Sequence, residues 1–155
     1  MPNAGRTGQR LTKDEVMALV DEHFPQVHEG NGRVTIEFLE PMTAHVRMAR
    51  DPRSIRPGGT VSGPTMFKLA DFSVYAVILA ELGPAAMPAV TTSMTINFLS
   101  RPQPGDIIAH ARLIKLGRRL AVAEVGIYSD GSPEMVAHAT STYALPSASA
   151  SARPV

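Results

Sequence analysis

An acid, Asp71, stands in the middle of the apolar run "VSGPTMFKLADFSVYAVILAELGP", Val61 to Pro84. On a helix, its neighbours three and four residues away are Phe67, Lys68, Val74 and Tyr75. Three of these are apolar or aromatic, so the carboxylate leaves the helix on a poorly solvated face. Burying such a group without a partner is costly, and a partly desolvated carboxylate is a strong general base or nucleophile. The same placement also suits a structural acid, held by an ion pair with Lys68 or by a strand hydroxyl. At the start of the run stand Ser62, Gly63 and Pro64. Proline fits the first helical turn, where its missing N–H leaves nothing unpaired, and Ser62 or Gly63 fits the cap. Gly63 keeps its N–H. A helix N-terminus presents free donors and the positive end of the helix dipole, which suits a carbonyl oxygen gaining negative charge. A simple cap with a glycine for close backbone packing is compatible with that role and is the better reading of the residues alone.

Other residue types are less pointed. Thr91, Ser93 and Thr95, with Asn97, alternate along one strand face, which by default is a solvated face. Arg50, Arg53 and Arg56 form one basic set; Lys115, Arg118 and Arg119 form another, with Arg101 apart. Arginine forks suit phosphates, although loop arginines also simply solubilise. The histidines, His23, His28, His45, His110 and His138, follow no metal-binding spacing. There is no glycine-rich phosphate loop after a strand and no GxSxG elbow.

The elements that must position these residues follow from periodicity. "LTKDEVMALVDEHFP" predicts a helix, with Thr12 and Glu15 as a capping box and Pro25 as its end. Val34 to Phe38 and Ala44 to Met48 predict two strands around a Glu40–Pro41 turn. The run from Gly63 to Gly83 is a helix that is apolar almost all round, so it is buried on most sides. Four strands follow, "VTTSMTINFL", "DIIAHARLIKLG", "RRLAVAEVGIYSD" and "EMVAHATSTYAL", with tight turns that imply antiparallel pairing. The result is an α+β architecture: one six-stranded antiparallel sheet curled around a long central helix, with an N-terminal helix. Residues 1–10 and the Ser/Ala-rich 146–155 read as disordered tails, which leaves a single domain over 11–145.

The chain has 155 residues, 44% of them hydrophobic, and a net charge of +1. That balance selects neither nucleic acid nor an acidic membrane surface. No span reaches the ~20 apolar residues that cross a bilayer. With no cysteine and no apolar leader at the N-terminus, a cytoplasmic setting is expected.

"GTVSGPTMFKLADFSVYAVILAELG", "VTTSMTINFLSRPQPGD" and "LIKLGRRLAVAEVGIYSDGSPEMVAHATSTY" together resemble the PaaI-like group of hotdog-fold thioesterases, over about Gly32 to Leu145. The group's pattern is Gly-Thr-hydrophobic-His-Gly-Gly, then a helix with Leu-Ala-Asp, the acid nine residues after the histidine. Here Ser62 stands in the histidine position, Pro64 in that of the second glycine, and Arg56 where an asparagine is frequent. The resemblance implies an acyl-CoA thioesterase, with coenzyme A part of the substrate and no further cofactor. Asp71 takes the catalytic acid position, Gly63 the amide that polarises the thioester carbonyl, and Thr91 or Thr92 a hydroxyl that approaches the water from the second subunit. Ser62, Pro64, Arg56, Arg118 and Arg119 fall at substrate-binding positions. It also implies a homodimer with sheets paired edge to edge, Asp71 of one subunit facing Gly63 of the other, and pairing of dimers into a homotetramer. The departures at Ser62 and Arg56 leave a non-catalytic acyl-CoA-binding hotdog protein as the alternative. A hotdog hydratase needs an Asp and a His acting together, and no His follows Asp71 until His110.

Overall fold

The computed structural model describes residues 10–147. The tails expected to be disordered lie outside this range apart from Arg10, Pro146 and Ser147; Arg10 donates to Glu81 at 2.8 Å. In chain order the elements are α1 (Lys13–His23), β1 (Val34–Glu40), β2 (Thr43–Met48), α2 (Gly63–Leu82), β3 (Val90–Phe98), β4 (Ile107–Leu116), β5 (Leu120–Ser129) and β6 (Met135–Ala144). The six strands form one antiparallel sheet in the order β1-β2-β4-β5-β6-β3, so β1 and β3 are its edges. This is the six-stranded antiparallel sheet around a long helix that the patterning predicts, and the hotdog fold that the resemblance implies.

α2 lies against the inner face of the sheet. The reason is legible in residue size: Ala44, Ala109, Ala111, Ala121, Ala123, Ala137 and Ala139 are all fully buried, and alanines leave room for a helix to approach the sheet closely. Larger side chains on the helix, among them Leu69, Val77, Ile78 and Leu79, fill the remaining space. Truncating one of them, such as Ile78, to alanine removes roughly 2–5 kcal/mol of stability. The helix stops at Gly83, whose φ of 77° lies in the left-handed region that glycine tolerates, with its N–H bonded to Leu79 O at 2.8 Å. α1 carries the expected capping box between Thr12 and Glu15 and packs through Val16 and Val20, both buried.

One strand departs from simple alternation. β3 pairs with β6 through Thr91↔Tyr143 and then Ser93↔Thr142, so Thr92 is an extra residue in a bulge. The register is reset at that point. Thr91 therefore leaves the row of Ser93, Thr95 and Asn97 and turns inward with Met94 and Ile96. The expectation of a single hydroxyl face from Thr91 onward is corrected by this one inserted residue.

Candidate active site

Asp71 is half-buried near the middle of α2. Its Oδ1 accepts two hydroxyl hydrogen bonds, from Thr91 Oγ1 at 2.5 Å and from Tyr143 Oη at 2.7 Å. Tyr143 Oη also lies 2.9 Å from the Asp71 carbonyl oxygen. The bulge in β3 turns Thr91 towards the helix, and the Thr91↔Tyr143 register sets the two hydroxyls side by side. Burial, and then the nearby Asp71 charge, push the Tyr143 phenol well above its ordinary range, so it remains a neutral donor. With Oδ1 occupied twice, Oδ2 has no protein donor among the described residues. The ion pair with Lys68 does not form; Lys68 Nζ donates to the Glu29 carbonyl at 2.8 Å.

Asp71 lines a cavity of about 760 Å³ between α1, α2 and the start of β3. This is the size range of small-molecule sites. Its α2 wall is the stripe Lys68, Asp71, Phe72, Tyr75 and Leu79, and its other walls include Leu19, Phe24, Met87 and Val90. Phe24 and Tyr75 meet edge to face, ring centroids 6.2 Å apart. Tyr75 Oη donates to the Met87 carbonyl at 2.9 Å.

Gly63 lies at the other end of the same helix, eight residues from Asp71, or ~12 Å along the axis at ~1.5 Å per residue. Ser62 caps α2: its Oγ accepts from Thr65 N and lies 2.7 Å from Thr65 Oγ1. Asn31 joins them through Nδ2 to Thr65 Oγ1 at 3.0 Å. Pro64 occupies the first turn, and the Gly63 N–H has no acceptor among the described residues. The Phe98 ring lies against Gly63; a Cβ there would sit 3.2 Å from its tip. A groove of about 520 Å³ runs past Gly63 and Pro64, with Arg56 and Arg101 on its walls.

The remaining arginines sit elsewhere. Arg118 and Arg119 are exposed in the β4–β5 turn. The register Val90↔Ala144↔Leu120 puts that turn at the end of the sheet that carries Thr91. The chain thus gathers Asp71 and Thr91 at one end, with Arg118 and Arg119 beyond them, and Ser62, Gly63, Pro64 and Arg56 at the other. Tyr143, Asn31 and the α1 residues of the cavity wall were not singled out by sequence reasoning. Only the "STY" ending of β6 offered a signal for Tyr143, and it lies 72 residues from Asp71.

The thioesterase superfamily pattern matches residues 58–136, which includes Gly63, Asp71 and Thr91. The chain is 43% identical to a proposed thioesterase from Silicibacter sp., covering 90% of this chain and 94% of that one, with a TM-score of 0.80. It is 25% identical to a mutant of the phenylacetic acid degradation protein PaaI from Thermus thermophilus, covering 77% and 97%, with a TM-score of 0.65. A proposed esterase of Saccharolobus solfataricus is 25% identical over 146 residues, 94% of this chain and 87% of that one. By its fold, its sequence pattern and these relatives, the chain belongs to the thioesterase superfamily.

Proposed function

We propose that the chain is an acyl-CoA thioesterase whose active site is shared between two subunits of a homodimer. The observation that carries this reading is Asp71: a half-buried carboxylate, oriented by Thr91 and Tyr143, with a free Oδ2 beside an apolar cavity. Asp71 takes a proton from a water as the water oxygen bonds to the thioester carbon, or Oδ2 attacks that carbon itself. The carbonyl oxygen gains the negative charge, and a Gly63 N–H donates to it. The adduct collapses, the C–S bond breaks and coenzyme A leaves as its thiol, taking its proton from Asp71 on the water route; on the direct route the thiolate takes a proton from solvent, and a water then cleaves the acyl-Asp71 anhydride to free the acid.

One subunit cannot do this alone, because its own Gly63 lies ~12 Å along the helix from Asp71. A two-fold pairing of β3 edges supplies the missing donor. β3 runs from Thr91, at Asp71, to Phe98, at Gly63. Antiparallel pairing of two such edges sets the Thr91 end of one against the Phe98 end of the other. The edge is suited to it: Val90, Phe98 and Leu99 are exposed apolar residues along it, which a lone sheet edge does not favour. The arginines at the two ends, Arg56 and Arg101 beside Gly63 and Arg118 and Arg119 beyond Thr91, then lie where coenzyme A phosphates can reach them. A homotetramer of two such dimers and a cytoplasmic setting belong to the same reading; no helix among the described residues is long and apolar enough to cross a membrane.

Ser62 favours the second reading, an acyl-CoA-binding protein without turnover. Its hydroxyl is engaged in the helix cap and supplies no acid or base. Thiol release from short, long and aryl acyl-CoAs, with wild type and Asp71→Asn side by side, decides between them. The enzyme reading expects release by the wild type and a loss of ~10²–10⁴-fold in the variant, with binding retained. Acyl-CoA bound but released by neither protein supports the second reading.

A further inference from the structure

We propose that α2 pairs with the α2 of a second copy of this chain, the two-fold axis crossing the helix at Phe67 so that its ring packs on the partner's Phe67. The inference rests on the shared-site reading and adds to it the point at which the two copies meet.

The place follows from symmetry. A two-fold interface is reciprocal: when residue i of one copy meets residue j of the other, j also meets i. Gly63 facing Asp71 of the partner subunit therefore comes with Asp71 facing Gly63 of the partner subunit. The two helices then run antiparallel past each other, and the residue midway between 63 and 71 meets its own copy. That residue is Phe67. It stands about one turn, or ~6 Å along the helix, from each of them, and steps of four keep all three residues on one side. β3 gives the same answer. Thr91 is bonded to Asp71 and the Phe98 ring lies on Gly63, so the middle of that strand, at Met94 and Thr95, lies level with the middle of this stretch of α2.

The residue type fits the place. Within one subunit Phe67 is 40% exposed, while Met66, Leu69 and Ala70 beside it are buried. Its ring joins no aromatic pair among the described residues. Apolar exposure continues at Phe98 and Leu99, at the Gly63 end, so the ring belongs to a patch and is not an isolated surface hydrophobe. An aromatic pair at the centre of a contact, shielded from water by what surrounds it, is the kind of anchor that carries most of an interface's affinity.

Charge points the same way. A residue on a two-fold axis meets its own copy, so a charge there would face a like charge. Phe67 carries none. Lys68, next along the helix, is the nearest cation in sequence, and its Nζ donates to the Glu29 carbonyl at 2.8 Å, in the segment that follows α1. That bond holds the ammonium on the α1 side of α2 and leaves the axis to the ring.

The chain has no cysteine, so Phe67→Cys carries a single thiol. Treated with a short bismaleimide, it should run as a covalent dimer on a denaturing gel. Arg118→Cys, whose copies the same two-fold sets at opposite ends, should stay unlinked. Sedimentation equilibrium supplies a second readout: Phe67→Ala should raise the dimer dissociation constant about 100-fold, and Phe67→Leu by about tenfold or less. Thiol release by Phe67→Ala, per subunit, should then fall on dilution and return at concentrations that reassemble the dimer. Thermal melts check folding, and misfolding of one variant leaves the others to decide. A dimer that Phe67→Cys does not link and Phe67→Ala does not weaken overturns the inference while the shared site stands. Linking of both cysteine variants alike overturns it too. A wild type that is monomeric and still releases thiol overturns the shared site, and the inference with it. A linked dimer that cleaves no thioester supports the axis and sets aside the hydrolase reading alone.

Discussion

At the first turn of α2 the free hydrogen-bonding group is a donor, the Gly63 N–H; two turns on it is an acceptor, Asp71 Oδ2. The first place is small and polar, built from Ser62, Thr65 and Asn31 around a helix cap. The second is a carboxylate clamped by two hydroxyls against an apolar cavity. Ester cleavage needs both kinds of group at one carbonyl. A straight helix holds them apart, so on the function proposed above they are two half-sites that a second copy completes.

The largest effect expected from this comparison is a recovery of lost activity. Asp71→Asn removes the acceptor half and Gly63→Pro the donor half, and each variant alone should release almost no thiol. Co-expressed, they form hybrid dimers in which one of the two sites keeps both groups. Activity should return to about a quarter of wild type for random pairing. Absence of any recovery, with mixed dimers demonstrated, breaks the shared-site reading.

A smaller effect sharpens the acceptor half. Tyr143→Phe removes one donor from Oδ1 and leaves Thr91 in place. Hydrogen bonds to charged groups are worth enough for a fall of roughly tenfold in kcat, with KM little changed. An unchanged kcat would make Tyr143 a packing residue only.

The smallest effect sharpens the donor half. Ser62→Ala deletes the cap on α2 and should cost about 1 kcal/mol of stability in denaturant unfolding, with kcat unchanged. A collapse of kcat at unaltered stability would instead place the Ser62 hydroxyl in the chemistry.

Much of this was readable along the chain, and what was not has a common cause. Thr12, Ser62, Pro64 and Gly83 mark helix ends through local chemistry, and the alternation in β4 to β6 marks strands. The acid in the apolar run was visible for the same reason. The inward turn of Thr91 was hidden because a bulge adds one residue with no compositional mark, and Thr92 resembles its neighbours. Tyr143, Asn31 and Phe24 matter only through contacts with α2 made by distant parts of the chain. Their roles belong to the folded register, not to any segment's own pattern.

The near-uniform apolar surface of α2 bears on the order in which the protein can take shape as it is synthesised. β4 and β5, against which α2 packs, follow it in the chain, as does β6, whose Tyr143 reaches Asp71. A ribosome that has released residues up to Leu82 has exposed the molecule's most water-averse helix with only α1, β1 and β2 to cover it. The native packing of that helix cannot close until the last strand emerges, so this small domain is committed late and all at once rather than piece by piece.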